Sequence, residues 1–254
     1  MQVFITGGTS GIGLALARRY VDAGHRVAAY ALAAAPDAER LSYYPGDVRD
    51  AAALQAAVAE FSGSARLDLM IACAGINHGH VPHDWPDFDR ERQIVAVNVL
   101  GVLNAFDAGL TVMRRQRAGG LVAIASASGF FGVPGHAAYS ASKAAVITLC
   151  EAYATDLRRH GIRVTCAAPG FVATPLTHGN PDPMPGLLSA DEAARRIIAA
   201  VATGRELIVF PRQIALLAGL LRQMPRSMYR ALFRAAHRRR MARVLPVNDS
   251  RGSP

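Results

Sequence analysis

Short apolar runs alternate with longer amphipathic segments along most of the chain. The short runs have the length of buried strands, and the longer segments repeat their apolar positions at helical spacing. Predicted strands cover residues 3–6, 25–30, 41–44, 67–73, 121–125, 163–168 and 207–210. Predicted helices cover residues 12–23, 51–61, 88–116, 138–159 and 191–202. This alternation predicts an α/β fold in which about seven parallel strands form a doubly wound sheet with helices on both faces.

The pattern divides the chain into a body and an extension. No linker or internal repeat interrupts residues 1–210, which we interpret as one domain. Residues 211–254 are interpreted as a basic amphipathic helical extension, either a part of the same domain or peripheral to it. The extension carries two opposed sets of side chains: Arg222, Arg226, Arg230, Arg234 and Arg238 every four residues, and the apolar Met228, Tyr229, Leu232 and Phe233.

The charge of the chain is concentrated in this extension. Residues 1–204 carry 17 basic and 17 acidic side chains, whereas residues 205–254 carry 11 arginines against Glu206 and Asp249, which accounts for the net charge of +9. We favour a helix docked on the body or on a partner subunit, because docked helices have the same pattern. Contact with an anionic membrane surface is the alternative. No nucleic-acid partner is expected, because no known motif for one accompanies the charge.

Cysteine usage and the apolar runs indicate a compartment. Cys73, Cys150 and Cys166 lie in apolar surroundings, without disulfide-like or metal-like spacing, as expected of reduced thiols. The first predicted strand starts at residue 3, so we expect no signal peptide. No uncharged apolar run approaches the roughly 20 residues of a spanning helix. These features predict a cytoplasmic protein.

A glycine-rich turn connects the first predicted strand to the first helix. It reads Thr6-Gly-Gly-Thr-Ser-Gly-Ile-Gly13 and differs from the common G-x-G-x-x-G spacing. Glycines in this position let backbone N–H groups approach a pyrophosphate, which also meets the positive end of the helix dipole. A tight turn without a ligand is the alternative interpretation.

A second group of candidate residues follows the fifth predicted strand. Tyr139 and Lys143 are four residues apart, so they share one face of a helix. Lys143 is the only lysine among 28 basic residues. A site that needs a compact ammonium would resist replacement by arginine. A lysine ammonium one turn away would stabilise tyrosinate, lower the pKa of Tyr139 and fit it for proton transfer, and a positively charged ring on a bound ligand would add to this effect.

The ordered motifs resemble those of the short-chain dehydrogenase/reductase family. The glycine turn matches T-G-x-x-x-G-x-G, and Tyr139 with Lys143 matches Y-x-x-x-K. Ser126 precedes Tyr139 by the family's thirteen residues, which favours it over Ser128 as the catalytic serine. The remaining matches are Asp47-Val48, Ala74-Gly75 after Cys73, Asn98-Val-Leu-Gly101, and Pro169-Gly170 with Thr174. Where the family usually reads Asn-Asn-Ala-Gly, this chain has Ala72-Cys73-Ala74-Gly75.

The resemblance implies a Rossmann-like fold and a role for each matched residue. Tyr139 would be the acid/base, Ser126 would hydrogen-bond the substrate oxygen, Lys143 would hold the nicotinamide ribose, and Asn98 would support a proton-relaying water. Asp47 would contact the adenine amino group. The implied cofactor-binding residues are Gly7, Thr9, Ser10, Gly11, Ile12, Gly13, Ala31, Asp47, Val48, Cys73, Ala74, Gly75, Tyr139, Lys143, Pro169, Gly170, Val172 and Thr174.

The cofactor would be NADP or NAD. The position after strand two that bears aspartate in NAD-using relatives is Ala31, followed by Leu32, and the basic position of NADP enzymes inside the turn is Ser10. Without a carboxylate to repel a 2′-phosphate, the sequence leans towards NADP. Asp37 or Arg40 in the short following segment could reach the same place.

The function implied is hydride transfer between nicotinamide and a carbonyl or secondary alcohol. A non-catalytic dinucleotide-binding regulatory protein, and an epimerase or dehydratase without net cofactor turnover, are the alternatives.

The loop from Thr174 to Leu188 reads as an apolar lid over an apolar substrate, or as a plain packed loop. His78, His80 and His83 are interpreted as a solvated loop rather than a metal site, and His136 as a substrate contact or an exposed residue. The resemblance also implies a homodimer or homotetramer, formed through the helices that begin near Phe88 and Ala138.

Overall fold

The computed structural model describes residues 1–34, 40–77, 85–180, 183–225, 227–228, 230–231 and 234. Seven strands form one parallel sheet, in the order β3-β2-β1-β4-β5-β6-β9. Their bounds are β1 Gln2–Thr6, β2 Arg26–Ala31, β3 Ser42–Pro45, β4 Leu69–Ala72, β5 Gly119–Ile124, β6 Ile162–Pro169 and β9 Leu207–Phe210. The predicted seven-stranded parallel α/β fold is thereby confirmed.

Helices cover both faces of this sheet. They are α1 Gly11–Asp22, α2 Ala51–Ser62, α3 Phe88–Val95, α4 Gly101–Gln116, α5 Ala137–Arg158, α6 Ala190–Ala202 and α7 Arg212–Gln223. One buried cluster joins the sheet to α2, α4 and α5, and a second joins it to α1 and α6. The central strands β1, β4, β5 and β6 are therefore buried on both faces, which explains why they read as continuous apolar runs, whereas the edge strand β3 is only partly buried.

The strand order reverses between β1 and β4. The chain moves outward from β1 to β3 and then returns, so that β4 pairs with the other side of β1. In open α/β sheets a ligand binds in the crevice at the carboxyl ends of the strands beside such a reversal. The glycine-rich turn leaves the sheet at this point.

The long helix predicted over residues 88–116 is not uniform. It is interrupted by a π-helical turn at Ala96–Leu100, which separates α3 from α4. A π-turn adds one residue to the helical repeat, and the sequence pattern gave no sign of it. Among the described residues this is the one helix long and apolar enough to cross a membrane by composition. Val102, Phe106 and Met113 nevertheless lie in the protein core, as expected of a core helix.

The loop after β6 is also more structured than predicted. Val172–Ala173 (β7) pairs with Leu188–Ser189 (β8), so the two ends of the intervening loop are tied together. Residues 181–182, which belong to the predicted apolar lid, lie outside the described residues.

The extension begins with α7, which packs against the body. Ala218 and Leu221 of α7 are buried, and the helix contacts β9 and the 3-10 turn Ala127–Phe130. Docking on the body therefore holds for the first helix of the extension. Arg226 and Arg238 of the predicted arginine stripe lie outside the described residues, and the division at residue 210 stays a prediction.

Candidate active site

The glycine-rich turn presents bare backbone towards the end of β4. Gly7 has a φ of +66°, which residues with a side chain rarely adopt. A Cβ on Gly7 would lie 2.8 Å from the Cα atom of Ala74, and a Cβ on Gly13 would overlap the carbonyl oxygen of Gly7. Glycine at these positions therefore lets the turn pack directly against the end of β4 and against the start of α1.

The same turn opens the N-terminus of α1. Ser10 is the N-cap residue, but its side chain makes no capping hydrogen bond to the helix. The N–H groups of the first turn thus point outward without a side-chain acceptor, which suits the pyrophosphate of a dinucleotide. The methyl carbon of Thr174 lies 3.1 Å from the position that a Cβ on Gly11 would take, so the loop after β6 borders the glycine-rich turn on the side of Gly11. Thr9, Ser10 and Ile12 stay at least partly exposed around this groove.

A buried threonine fixes the end of β4 against β1. The Thr6 hydroxyl oxygen accepts hydrogen bonds from the N–H groups of Cys73, at 3.2 Å, and Ala74, at 3.3 Å. Burial raises the pKa of Cys73 to about 12, with the nearby charge of Lys143 acting in the opposite direction. Cys73 is therefore a neutral thiol at this edge. The motif match includes Thr6 without a role for it, and these two hydrogen bonds show that its hydroxyl joins β1 to the end of β4.

Gly75 lies where the end of β4 meets two candidate catalytic residues. A Cβ on Gly75 would lie 3.3 Å from Asn98 Oδ1 and 3.4 Å from Lys143 Nζ. The tertiary structure thus brings together residues that are separated by 68 positions in the chain.

Asn98 sits in the π-helical turn and is completely buried. Its Oδ1 atom accepts the N–H of Ile76 at 2.8 Å, and its Nδ2 atom donates to the Ile76 carbonyl at 3.0 Å and to Ser142 Oγ at 3.1 Å. The side chain therefore holds the loop after β4 against α5. Both Nδ2 hydrogens are used, so a water molecule supported by Asn98, as the family resemblance implies, would bind an acceptor, either the second lone pair of Oδ1 or the backbone carbonyl.

Lys143 is buried on the inner face of α5. Its Nζ atom donates a hydrogen bond of 2.8 Å to the Ile124 carbonyl at the end of β5 and lies 5.7 Å from the centre of the Tyr139 ring. Burial lowers the pKa of Lys143 from 10.5 to about 8, although the neighbouring thiols Cys73 and Cys166 oppose this change. The pKa of Lys143 therefore lies close to neutral pH.

Tyr139 and Ser126 form a hydrogen-bonded pair beside Lys143. Burial raises the pKa of Tyr139, whereas its hydrogen bond with Ser126 lowers it. The ring is partly exposed at the surface, and the surrounding protein still disfavours the phenolate. In the protein alone, desolvation outweighs the favourable contact with Ser126. The lowering of this pKa by Lys143 together with the positive ring of an oxidised cofactor stays a prediction. Tyr139 is thus a protonated phenol, ready to donate.

Ser128 holds the Ser126 hydroxyl in place. Its backbone N–H and its own hydroxyl both donate to Ser126 Oγ, at 3.2 and 2.9 Å. Ser126 is the serine that reaches Tyr139, as its spacing predicted, and Ser128 is a positioning residue that the motif did not reveal. His136 is partly buried, with its ring 6.5 Å from that of Tyr139 and its Nδ1 atom 3.3 Å from Asn77 Oδ1.

The adenine end of the groove contains an ion pair. Asp47, after β3, accepts hydrogen bonds from the Arg49 side chain, and these lower the pKa of its carboxyl group. Val48 packs its buried side chain towards Gly101, so only its backbone is available to a cofactor. The Ala31 carbonyl accepts from Gly46 N at 3.0 Å and from the Tyr43 hydroxyl at 3.2 Å.

Pro169 and Gly170 lie where β6 leaves the sheet. The Gly170 N–H donates to the Phe210 carbonyl at 2.7 Å, which fixes the start of the loop. Val172 is buried, and its carbonyl oxygen accepts hydrogen bonds from the hydroxyls of Thr174 and Thr177. These contacts place Thr174 against the glycine turn.

The predicted histidine loop belongs to a part of the chain that the structure does not describe. His78, His80 and His83 lie outside the described residues, so their interpretation as a solvated loop stays a prediction. Within the described ranges no cluster of three or more His, Cys, Asp or Glu side chains could hold a metal ion.

Comparisons with known proteins agree with this geometry. Residues 1–184 match the family model described as short chain dehydrogenase. The chain is 38% identical over 159 residues to an uncharacterized oxidoreductase of Myxococcus xanthus, covering 63% of this chain and 62% of the relative. It is 35% identical over 184 residues to L-fucose dehydrogenase of Mus musculus, covering 68% of this chain and 66% of that enzyme. The alignments thus span less than two thirds of these curated relatives.

A solved structure shows the same fold. The crystal structure of a short chain dehydrogenase from Burkholderia cenocepacia in complex with NADP superposes with a TM-score of 0.80 at 23% identity, covering 91% of this chain and 96% of that one. The matched family model includes the glycine turn and every candidate catalytic residue. The chain belongs to the short-chain dehydrogenase family.

Proposed function

We propose that the protein is an NAD(P)-dependent oxidoreductase that interconverts a carbonyl compound and the corresponding secondary alcohol. The observation that carries the proposal is the Ser126–Tyr139 hydrogen bond beside the buried Lys143, at the end of a groove shaped by glycines. A binding protein has no need of an acid and a positioned ammonium beside its ligand. The family's dehydrogenase members support the same assignment.

The groove fits a dinucleotide. The turn from Gly7 to Gly13 would hold the pyrophosphate, and Asp47 and Val48 would contact the adenine. The backbone from Cys73 to Gly75 would contact the ribose. Lys143 and Thr174 would face the nicotinamide half. A bound nicotinamide cofactor supplies or accepts the hydride.

In the reducing direction, Tyr139 donates its phenolic proton to the substrate oxygen as charge develops there. Ser126 hydrogen-bonds the same oxygen and stabilises that charge. Lys143 supports the resulting phenolate with its positive charge, and its lowered pKa allows it to pass a proton on. Because the pKa of Tyr139 is raised in the protein alone, the phenol carries at neutral pH the proton that reduction requires, and oxidation requires loss of that proton first.

NADP is the preferred form of the cofactor in this proposal. Leu32, directly after Ala31, is exposed and carries no charge, so it cannot repel a 2′-phosphate. The carboxylate of Asp47 is paired with Arg49, and Arg40 pairs with Asp22 at 2.8 Å. No unpaired carboxylate lies at the ends of β2 and β3 in the part of the chain that the structure describes, which omits residues 35–39.

The proposal includes a homo-oligomer. A cleft of about 540 Å³ lies between α3 and α5, on the opposite side of α5 from Lys143. Its apolar side chains include Phe88, Val95, Leu100, Ala137, Ala138 and Ala141. Phe88 is 62% exposed and Leu100 51% exposed, which is unusual for contiguous apolar side chains of a monomer.

Cytoplasmic localisation stays a prediction, and the described cysteines are all free thiols.

The test measures, by absorbance, the oxidation of NADPH and of NADH in the presence of a panel of ketones and aldehydes. Tyr139→Phe is expected to lower kcat/KM by about 10²- to 10⁴-fold while cofactor binding, followed by fluorescence, is retained. Tyr153→Phe makes the same chemical change further along α5, where the ring packs on Phe106, and is the matched control. Full activity of the Tyr139 variant would refute the mechanism.

The same panel separates the alternatives. Cofactor binding without turnover of any compound would favour the regulatory binder. Conversion of a substrate without net oxidation of cofactor would favour the epimerase or dehydratase.

A further inference from the structure

Helix α7 carries two apolar faces. Its inner face, with Ala218 and Leu221, is buried against the body at 3% and 7% exposure. Its outer face presents Leu216, Leu217 and Leu220, which are 76%, 46% and 64% exposed. These residues follow the i, i+1, i+4 spacing of a single helix surface, so they form one continuous patch rather than scattered leucines. We call these three residues the outer leucine face.

The inner face of α7 adjoins the candidate active site. The helix packs against the 3-10 turn Ala127–Phe130, which follows directly after Ser126. Side-chain carbons of Ile214 lie 3.0 and 3.3 Å from the Cβ position of Gly170. Pro211, just before the helix, lies 2.9 Å from the Cβ position of Gly186. Helix α7 therefore borders both ends of the loop that follows β6, with the outer leucine face on its far side.

The charge around α7 decides what kind of partner fits the leucines. Residues 207–248 contain nine arginines and no acidic residue, whereas residues 1–204 are neutral overall. Arg212 at the start of α7 is exposed, as are Arg230 and Arg234 beyond it. A second copy docked through this face would bring two such positive segments together. An anionic lipid surface combines the apolar interior and the negative charge that this segment complements.

We propose that α7, together with the exposed arginines Arg212, Arg230 and Arg234, docks the protein on an anionic membrane surface. Leu216, Leu217 and Leu220 enter the boundary between headgroups and acyl chains, and the arginines contact the headgroups. Met228, beyond the end of α7, is also exposed, at 59%. One consequence rests on the proposed function: the active site lies directly behind the docked helix, so its substrate is an apolar carbonyl compound or alcohol dissolved in the membrane.

Sedimentation of the full-length protein with lipid vesicles tests the docking. Vesicles of phosphatidylcholine alone are compared with vesicles in which a third of the lipid is phosphatidylserine. We expect binding to the anionic vesicles at least about tenfold tighter than to the neutral ones, and weakening with added salt. The double variant Leu216→Ser/Leu220→Ser is expected to lose about tenfold or more of this binding. Leu32→Ser, which changes a leucine exposed to 78% on another surface, is the control and should bind as the parent does.

Three results would overturn the proposal. The first is no sedimentation with either kind of vesicle. The second is unchanged binding of the double variant, which would assign attachment to the arginines alone. The third is a drop in molecular mass of the double variant by light scattering without lipid, which would assign the leucine face to a second copy. Turnover of a water-soluble ketone, measured in the same samples, is independent of docking and separates failure of this proposal from failure of the proposed enzyme activity.

Discussion

Replacing Lys143 by methionine is expected to stabilise the apoprotein while it removes activity. Burial lowers the pKa of this lysine from 10.5 to about 8, a difference that corresponds to about 3 kcal/mol at neutral pH. The variant also loses the hydrogen bond to the Ile124 carbonyl, which costs about 1 kcal/mol. The expected net gain is about 2 kcal/mol in the free energy of unfolding at about pH 7.

The pH dependence of this gain distinguishes burial of charge from packing. Because the pKa is lower in the folded state, the unfolded chain binds more protons between about pH 8 and 10.5. The stability of the parent therefore rises relative to the variant as pH increases through that window, and below it the penalty is complete. At about pH 9.5 the advantage of the methionine variant should shrink by about 2 kcal/mol and disappear.

The assay is urea unfolding of both proteins, without cofactor, at several pH values. Arg114→Met, which removes a charge that is exposed on α4, is the control and should show no such dependence. A difference between parent and Lys143 variant that stays constant with pH would refute the reasoning, since it would mean that the ammonium is not desolvated.

Three further variants test other parts of the site and surface. Ser128→Ala should lower kcat about tenfold at unchanged cofactor KM, because Ser126 loses a donor, and Ser128→Thr should restore it in steady-state kinetics. Gly13→Ala should abolish cofactor binding measured by fluorescence, because its Cβ collides with backbone of the same turn, whereas Gly219→Ala, in open space, should not. Leu100→Glu should convert the proposed oligomer to a monomer in light scattering; an unchanged mass would exclude the α3–α5 cleft as its interface.

The sequence predicted the fold closely because each element carries its own signal. Strands buried on both faces read as apolar runs. The glycines of the turn are required by contacts within the turn itself, because Gly7 has a positive φ and Gly13 packs against the backbone of the same turn. The spacing from Ser126 to Tyr139 also selected the serine that reaches the tyrosine. These features depend on neighbours that are close in the chain, so a pattern of residues is enough to reveal them.

Other features arise from contacts between distant segments. The π-helical turn places Asn98 against Ile76 and Ser142, and no local pattern encodes those partners. The pKa of Tyr139 is raised in the protein alone, because the extent of desolvation depends on everything packed around the ring. The pairing of β7 with β8 likewise joins the two ends of a loop that reads as irregular.

The sequence by itself determined the parallel sheet, the glycine turn, the candidate catalytic residues and the concentration of arginines at the end of the chain. Only the tertiary structure decided that Lys143 is buried against Ile124, that Ser128 orients Ser126, and that α7 packs beside the active site with its outer leucines exposed. The physical reason is that helical and strand periodicity depend on near neighbours, whereas burial, and with it pKa and surface exposure, depends on which segments the fold brings together.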